Sequence, residues 1–449
     1  MTAEVAILNK LGVALAADSA ATITTRNGPK TYNSANKLFS VSKFHPVGAM
    51  IWGSSEINTV PWEIIIKQYR ENLGRRAFGS VEDYLKDMLR FLENEVPIGE
   101  KEQRKNIEAL ARIFFLEIRQ ELNESYVRGI LEKKRPPTNA ERYKVFRLII
   151  SARKVRIAKC KKCDSLIDVS EKNILSEYRE IITSVIKGVT GDDKLPAKLV
   201  DEAISVFANQ VLSEQLSNYR SGLVIAGYGK MDYFPSLKSV QTDGFFLNRC
   251  KIINHKSIFI SEDNSASIVP FAQRDVVDTF ISGVNNDYER RIRDCVRVLV
   301  EKAPSVILDQ VSFEEDDKLR SAIERKCSSA IKKMLESFSK DLDRYKRKHF
   351  ITPLIEAVAF LGKDELAVFA ENLVNLTALK RKVSLNAETV GGPIDVAVIS
   401  RNDGLIWMKR KHYFDPRLNQ FFFRKYLNSN VDCDILTQRA EGEFDEKND

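Results

Sequence analysis

An α+β fold, with antiparallel sheets flanked by helices, follows from the order in which two hydrophobic periods alternate along this chain. Strand-type runs open the sequence, helix-type runs follow, strands return in the middle, more helices come next, and a strand pair closes the pattern. Both outer strand blocks are apolar enough to be core rather than surface. With 449 residues the chain can bury a large core, and 43% hydrophobic content with mixed charge is that of a globular protein.

The elements can be justified in turn. "VAIL" and "VALAAD" are short apolar runs separated by Asn9-Lys10-Leu11-Gly12, a turn-like stretch ending in glycine. "KLFSVS" alternates apolar and polar residues and "VGAMIWG" is an apolar run, with "KFHP" joining them, so the first 55 residues predict two hairpins. From "VPWEIIIKQYRENL" the period changes: Ile64, Ile65, Tyr69 and Leu73 fit one side of a helix, with Pro61 suited to its first turn. Residues 80–218 read as a mainly helical insertion with some strand around 145–170, broken by "KKRPPTNAE". Strand signals return in "SGLVIAGYG", "FPSLKSVQTDGFF" and "HKSIFISED". Helical patterns follow at about 272–303, at 315–347 and in "PLIEAVAFLGKDELAVFAENLVNLTALKRK", whose basic end suits a helix C-terminus. "IDVAVISRNDGLIWMKR" predicts a hairpin turning at Asn402-Asp403-Gly404. The domain reading is a discontinuous core of residues 2–79, 219–304 and 349–427, helical insertions at 80–218 and 305–348, and an acidic, partly disordered tail at 428–449.

Several function classes find little support. No run approaches the roughly 18–20 apolar residues of a membrane span. The opening lacks the basic region of a secretory signal, and the expectation is a cytoplasmic chain unprocessed except for Met1. A net charge of +8 from 70 basic and 62 acidic residues describes an ordinary solvated surface, and the basic stretches "RYKRKHF" and "KVRIAKCKKC" read better as helix faces than as a nucleic-acid interface. The six cysteines are scattered, as expected of reduced thiols. Cys160 and Cys163 form one C-x-x-C knuckle without a second ligand pair; a turn with two thiols is the simpler reading, a zinc site completed by a distant cysteine or by another subunit the other. The four histidines are far apart in sequence, H-E-x-x-H is absent and "GYGKMDYFPS" is no Walker A loop, so no metal or organic cofactor is predicted.

The opening residues carry the chemistry. If Met1 is removed, Thr2 supplies both a hydroxyl and a free α-amine, whose reference pKa of about 7.7–8.0 leaves part of it neutral near physiological pH. Such an amine can take the hydroxyl proton, directly or through a water. Threonine is also a common second residue, so the surrounding pattern has to carry the reading.

That pattern, "TAEVAILNKLGVALAADSAAT", resembles the proteasome β-type N-terminal nucleophile hydrolases, including HslV and Anbu: a threonine, an apolar strand, a polar turn with glycine, a second apolar strand, then Asp-Ser. The resemblance continues through "NKLFSVSKFHPVGAMIWGSSE" and, more weakly, through "GLVIAGYGKMDYFPSLKSVQTDGFF" and "ETVGGPIDVAVISRNDGLIWM", covering roughly residues 2–75, 221–285 and 350–410. It implies an αββα sandwich decorated by the helical insertions, and a threonine-type amide hydrolase acting on peptides or proteins. Thr2 would be the nucleophile, Lys37 the cation beside it and Asp18 the partner of Lys37. The backbone amides at Trp52 and Gly53 would form the oxyanion hole. Ser265 or Ser267 would support the amine, with Asn386 and Thr389 replacing the family's second supporting group. Met50 would line the first specificity pocket. Family members form rings and often depend on an ATP-driven unfoldase, so a homo-oligomer is expected and such a partner is admitted. The alternatives are a non-catalytic scaffold of the same fold and a partner- or nucleic-acid-binding adaptor built on the basic insertion.

Overall fold

The computed structural model describes residues 3–25, 28–190, 195–309, 317–384, 390–412 and 414–421. The chain opens with β1 (Ala3–Asn9) and β2 (Gly12–Ala17), followed by a hairpin of β3 (Ala21–Thr25) and β4 (Gly28–Tyr32), then β5 (Leu38–Ser40) and β6 (Val47–Gly53). The β3–β4 hairpin was absent from the sequence reading, although Asn27-Gly28 is a turn signal. A minor hairpin, β7 (Glu56–Ile57) with β8 (Val60–Pro61), leads into helices α1 (Trp62–Leu73) and α2 (Val81–Asn94). Next come α3 (Glu100–Lys133), α4 (Asn139–Ala158), α5 (Glu171–Thr190) and α6 (Ala197–Leu212). The middle strands are β9 (Ser221–Gly227), β10 (Ser236–Phe246), β11 (Arg249–Phe259) and β12 (Ala266–Ala272). Helices α7 (Asp275–Ser282), α8 (Asn286–Leu308), α9 (Asp317–Lys346), α10 (Thr352–Ala359) and α11 (Lys363–Lys382) precede β13 (Asp395–Ser400) and β14 (Gly404–Lys409).

Two five-stranded antiparallel sheets result, in the orders β12-β1-β2-β13-β14 and β11-β10-β9-β6-β5. Strand alternation sends Ala6, Leu8, Val13 and Leu15 of the first sheet toward Met50, Trp52, Val224 and Leu237 of the second, forming one apolar layer between the sheets. Val5, Ile7, Ala14 and Ala16 face the other way and pack under Leu366, Ala370 and Val374 of α11. On the outer face of the second sheet, Ile51, Leu223 and Ile225 pack against Trp62, Ile65 and Tyr69 of α1 and Tyr84 and Met88 of α2. The arrangement is compatible with a helix–sheet–sheet–helix sandwich, and it explains why β1 and β2 are buried along their whole length.

Some details differ from the sequence reading. In α1 it is Ile66, not Ile64, that joins the buried side; Ile64 is half exposed. The helix α2 packs on the second sheet, so the helices that pack chiefly on one another begin with α3. No strand forms among the described residues between 145 and 170: α4 runs through to Ala158, and the single bridge is Lys162 with Ser213. The helical pattern at 272–303 starts after β12, which runs to Ala272, and is split into α7 and α8 at Gly283, whose φ of +73° ends α7. Residues 410–449 form a separate unit; its described part holds a single helical turn at Pro416–Leu418, and the tail at 428–449 lies outside the described residues.

The inserted helices have a core of their own, in which Phe207 of α6 meets Phe114 and Phe115 of α3, with ring centroids 5.4 and 6.1 Å apart. Their end is bound to the strands by a buried cation. Lys251 Nζ donates to Gln215 O (2.7 Å), Gln210 O (3.2 Å) and Asp243 Oδ2 (3.3 Å), and Asp243 also accepts from Ser217 N and Oγ. Burial pushes the Lys251 ammonium below its usual range, against the pull of Asp243.

Phe207→Ala is expected to cost about 3–5 kcal/mol of unfolding free energy, the usual range for a fully buried phenylalanine. Urea unfolding followed by circular dichroism checks this; an unchanged midpoint would contradict the packing described.

Candidate active site

Antiparallel pairing of β1 and β2 sets Glu4 opposite Ala17, and the Asp18 amide donates to Ala3 O (3.1 Å), so Asp18 lies beside the amino end of β1. Its carboxylate is heavily solvated by the protein. Oδ1 accepts from Ala3 N (3.1 Å), and Oδ2 accepts from Gly391 N (3.0 Å) and Ala20 N (3.3 Å). Lys37, just before β5 in the second sheet, donates its ammonium to the same Oδ1. The lysine also lies 3.3 Å from Glu4 Oε1, so two carboxylates from the first sheet share one cation from the second. All three residues are at most 5% exposed. Buried charge is tolerated only when paired and hydrogen-bonded, and Asp18 draws its amide donors from Ala3, Ala20 and Gly391.

Glu4 was not singled out from sequence. The signal was there: with Ala6 and Leu8 it lies on one face of β1, and an acid on that apolar face requires a buried counter-ion.

Strand alternation orients the amides at the end of β6. Ile51 N donates to Lys37 O (2.9 Å) on the β5 side, and Ser54 N donates to Arg220 O (3.2 Å) on the β9 side. Trp52, paired with Gly222, therefore turns its amide toward β9, while Gly53 turns its amide to the edge that carries Lys37, beyond the start of β5. Gly53 has φ +78°, and a Cβ there would stand 2.4 Å from Arg220 O, so only glycine lets the strand end in this way.

The other expected residues divide into two groups. Thr2, Asn386 and Thr389 lie outside the described residues. Ser265 and Ser267 are not brought to Asp18. Ser267 pairs with Leu8 at the far end of β1, about 17 Å from Ala3 at the usual rise per residue, and Ser265 lies further along in the same direction. The antiparallel register instead puts Ala272 opposite Ala3, a fact that sequence spacing alone did not reveal. Met50 is fully buried between the sheets. Cys163 is buried with Sγ 3.2 Å from Ser165 Oγ, and among the described residues no group of three or more histidine, cysteine or acidic side chains could hold a metal.

An aromatic and basic group flanks the Lys37 cluster. Phe271 of β12 pairs directly with Glu4. Trp52, His255 and Phe271 meet as three rings with centroids 5.4–6.0 Å apart. The Trp52 ring can lie across β9 because Gly222 has no side chain; a Cβ there would be 2.1 Å from the indole. His255 accepts or donates a 3.0 Å hydrogen bond with Ser239 Oγ. Burial, reinforced by Lys256, Arg274 and Arg220, pushes the imidazole down to about 4.

No family model matches this chain, and no curated protein matches it. Among solved structures, a mutant of Anbu (Gly-1) from Hyphomicrobium sp. strain MC1 aligns with 98% of this chain and 99% of that one, at 10% identity and a TM-score of 0.28. An overlap that small carries no weight for fold or function. Among the described residues, no helix is long and apolar enough to cross a membrane.

Two outcomes follow from the site itself. Lys37→Met strands two buried carboxylates and is expected to cost about 3–5 kcal/mol, whereas Glu4→Gln keeps the Asp18–Lys37 pair and costs less; equal urea midpoints for the two variants would contradict the shared-cation geometry. An unfolded histidine titrates near 6.5, above the folded value of about 4 for His255. The unfolded chain thus takes up that proton first as pH falls, and the folded state loses stability between these two values. Melting temperatures should fall less from pH 6.5 to 4.5 in His255→Gln than in the wild type; an identical fall would show that the imidazole is not held neutral.

Proposed function

We propose that this chain is a threonine-type amide hydrolase of the proteasome-like N-terminal nucleophile class, cleaving peptide bonds with Thr2 after loss of Met1. The observation that carries this reading is the position of the Asp18–Lys37 pair. Asp18 Oδ1 binds the amide of Ala3, the residue that follows Thr2, and the same oxygen holds the Lys37 ammonium. A buried, fixed cation at the amino end of β1 is what a threonine alkoxide requires.

In this mechanism the Thr2 α-amine takes the hydroxyl proton, directly or through a water, as Oγ1 attacks the substrate carbonyl carbon. Lys37 favours the developing alkoxide by its charge. Asp18 and Glu4 keep Lys37 protonated and immobile. The oxygen of the tetrahedral intermediate takes the Gly53 N–H as donor, and the alternation of β6 favours that amide over the one at Trp52. Collapse breaks the C–N bond, the departing amine takes the proton from the α-ammonium, and an ester to Thr2 remains. Water, deprotonated by the α-amine, then releases the acid product.

The test pairs intact-mass spectrometry with a threonine-reactive β-lactone probe. The wild type is expected to lack Met1 and to gain one probe adduct, and Thr2→Ala to gain none. A chain that retains Met1, or equal labelling of both proteins, would rule out Thr2 as nucleophile.

A further inference from the structure

The basic group beside the Lys37 cluster has no role in the mechanism above. In the β10–β11 pairing, Ser239 faces Lys256 while the next residue, Val240, faces Asn254, so His255 is an extra, bulged residue. A bulge breaks strict alternation and can turn two successive side chains to one face. Here both reach the same ring of the first sheet. The His255 ring centroid lies 6.0 Å from that of Phe271, and Lys256 Nζ stands 5.6 Å above Phe271. Arg274, just after β12, acts electrostatically on both His255 and Lys256. Arg220 also joins the group, its guanidinium carbon 5.9 Å from the Trp52 ring. Lys256 and Arg220 therefore stand over the aromatic wall, with Arg274 close enough to act on Lys256. Asp278 is set against them, 3.5 Å from Arg274 Nε. Among the described residues, Lys256 has no carboxylate within ion-pair distance. Burial, with Arg274 beside it, pushes Lys256 down to about 8, against the pull of Asp278.

We propose that Lys256 and Arg274, backed by Phe271 and Trp52, form a subsite for a carboxylate on the substrate, next to the Asp18–Lys37 pair. This inference rests on the peptidase reading for its location. Phe271 pairs with Glu4, and Glu4 contacts Lys37, so the subsite is separated from Lys37 by those two side chains. The apolar rings exclude water from the ammonium and strengthen its attraction for an anion. The carboxylate can come from an acidic side chain or from a peptide C-terminus.

Isothermal titration calorimetry with full-length Thr2→Ala protein separates these sources and prevents turnover. The ligands are acetyl-Leu-Leu-Glu-amide, acetyl-Leu-Leu-Gln with a free C-terminus, and the neutral acetyl-Leu-Leu-Gln-amide. At least one acidic peptide is expected to bind about tenfold more tightly than the neutral one, the factor for one charge-assisted contact. The advantage should shrink to about twofold or less when Lys256→Gln or Arg274→Gln is added, with neutral-peptide affinity unchanged. Arg274 is exposed, so its variant tests the idea even if Lys256→Gln fails to fold. Equal affinities for all three peptides, no binding of any, or an advantage that survives both substitutions would overturn the subsite. Hydrolysis by wild-type protein is measured in parallel. Acid-selective binding without cleavage sinks the Thr2 mechanism and leaves the subsite standing; cleavage without acid-selective binding does the reverse.

Discussion

A single ammonium group held between two buried carboxylates organises this protein's interior. Lys37 comes from the second sheet, Asp18 and Glu4 from the first, so the ion cluster joins the sheets at one end of an otherwise apolar layer. Removing charges from water is expensive, and the expense is offset only by close geometry and complete hydrogen bonding. For Asp18 the backbone meets that demand. The amides of Ala3, Ala20 and Gly391 all turn toward Asp18, which fixes the ends of β1 and β2 and the approach to β13 around one carboxylate. A purely hydrophobic pairing of the sheets would have been cheaper to build; under the proposed hydrolase reading, the three charges there are the cost of a reactive position.

The surrounding fold serves that position. Full burial of β1 and β2 by sheet on one side and helices on the other leaves the strand ends as the place where polar groups can converge. Gly53 ends β6 with a left-handed turn that a side chain would block, and its amide emerges on the edge where Lys37 lies. The inserted helices, with their own aromatic core, are held to the strands by the buried Lys251 and are not needed to assemble the ion cluster.

Much of this was legible in the sequence. The β1–β2 and β13–β14 hairpins announced themselves by apolar runs around turn residues, and the family resemblance pointed to Asp18 and Lys37. What was missed was mainly long-range. Ser265 and Ser267 were assigned to the site by linear resemblance, yet antiparallel pairing of β12 with β1 carries them to the opposite end. Glu4 was not singled out, because a single sequence does not say which lysine of another sheet an acid on the inner face of a strand will meet. The bulge at His255 likewise depends on register, which local periodicity cannot supply.

A crystal structure of the β-lactone adduct tests the whole scheme most directly. Continuous density is expected from Thr2 Oγ1 to the acyl carbon, with the acyl oxygen within hydrogen-bond reach of Gly53 N and Lys37 Nζ adjacent to the ester. An adduct on any other side chain, or an ester on Thr2 remote from Lys37, would show that the buried ion cluster is structural and has no part in chemistry.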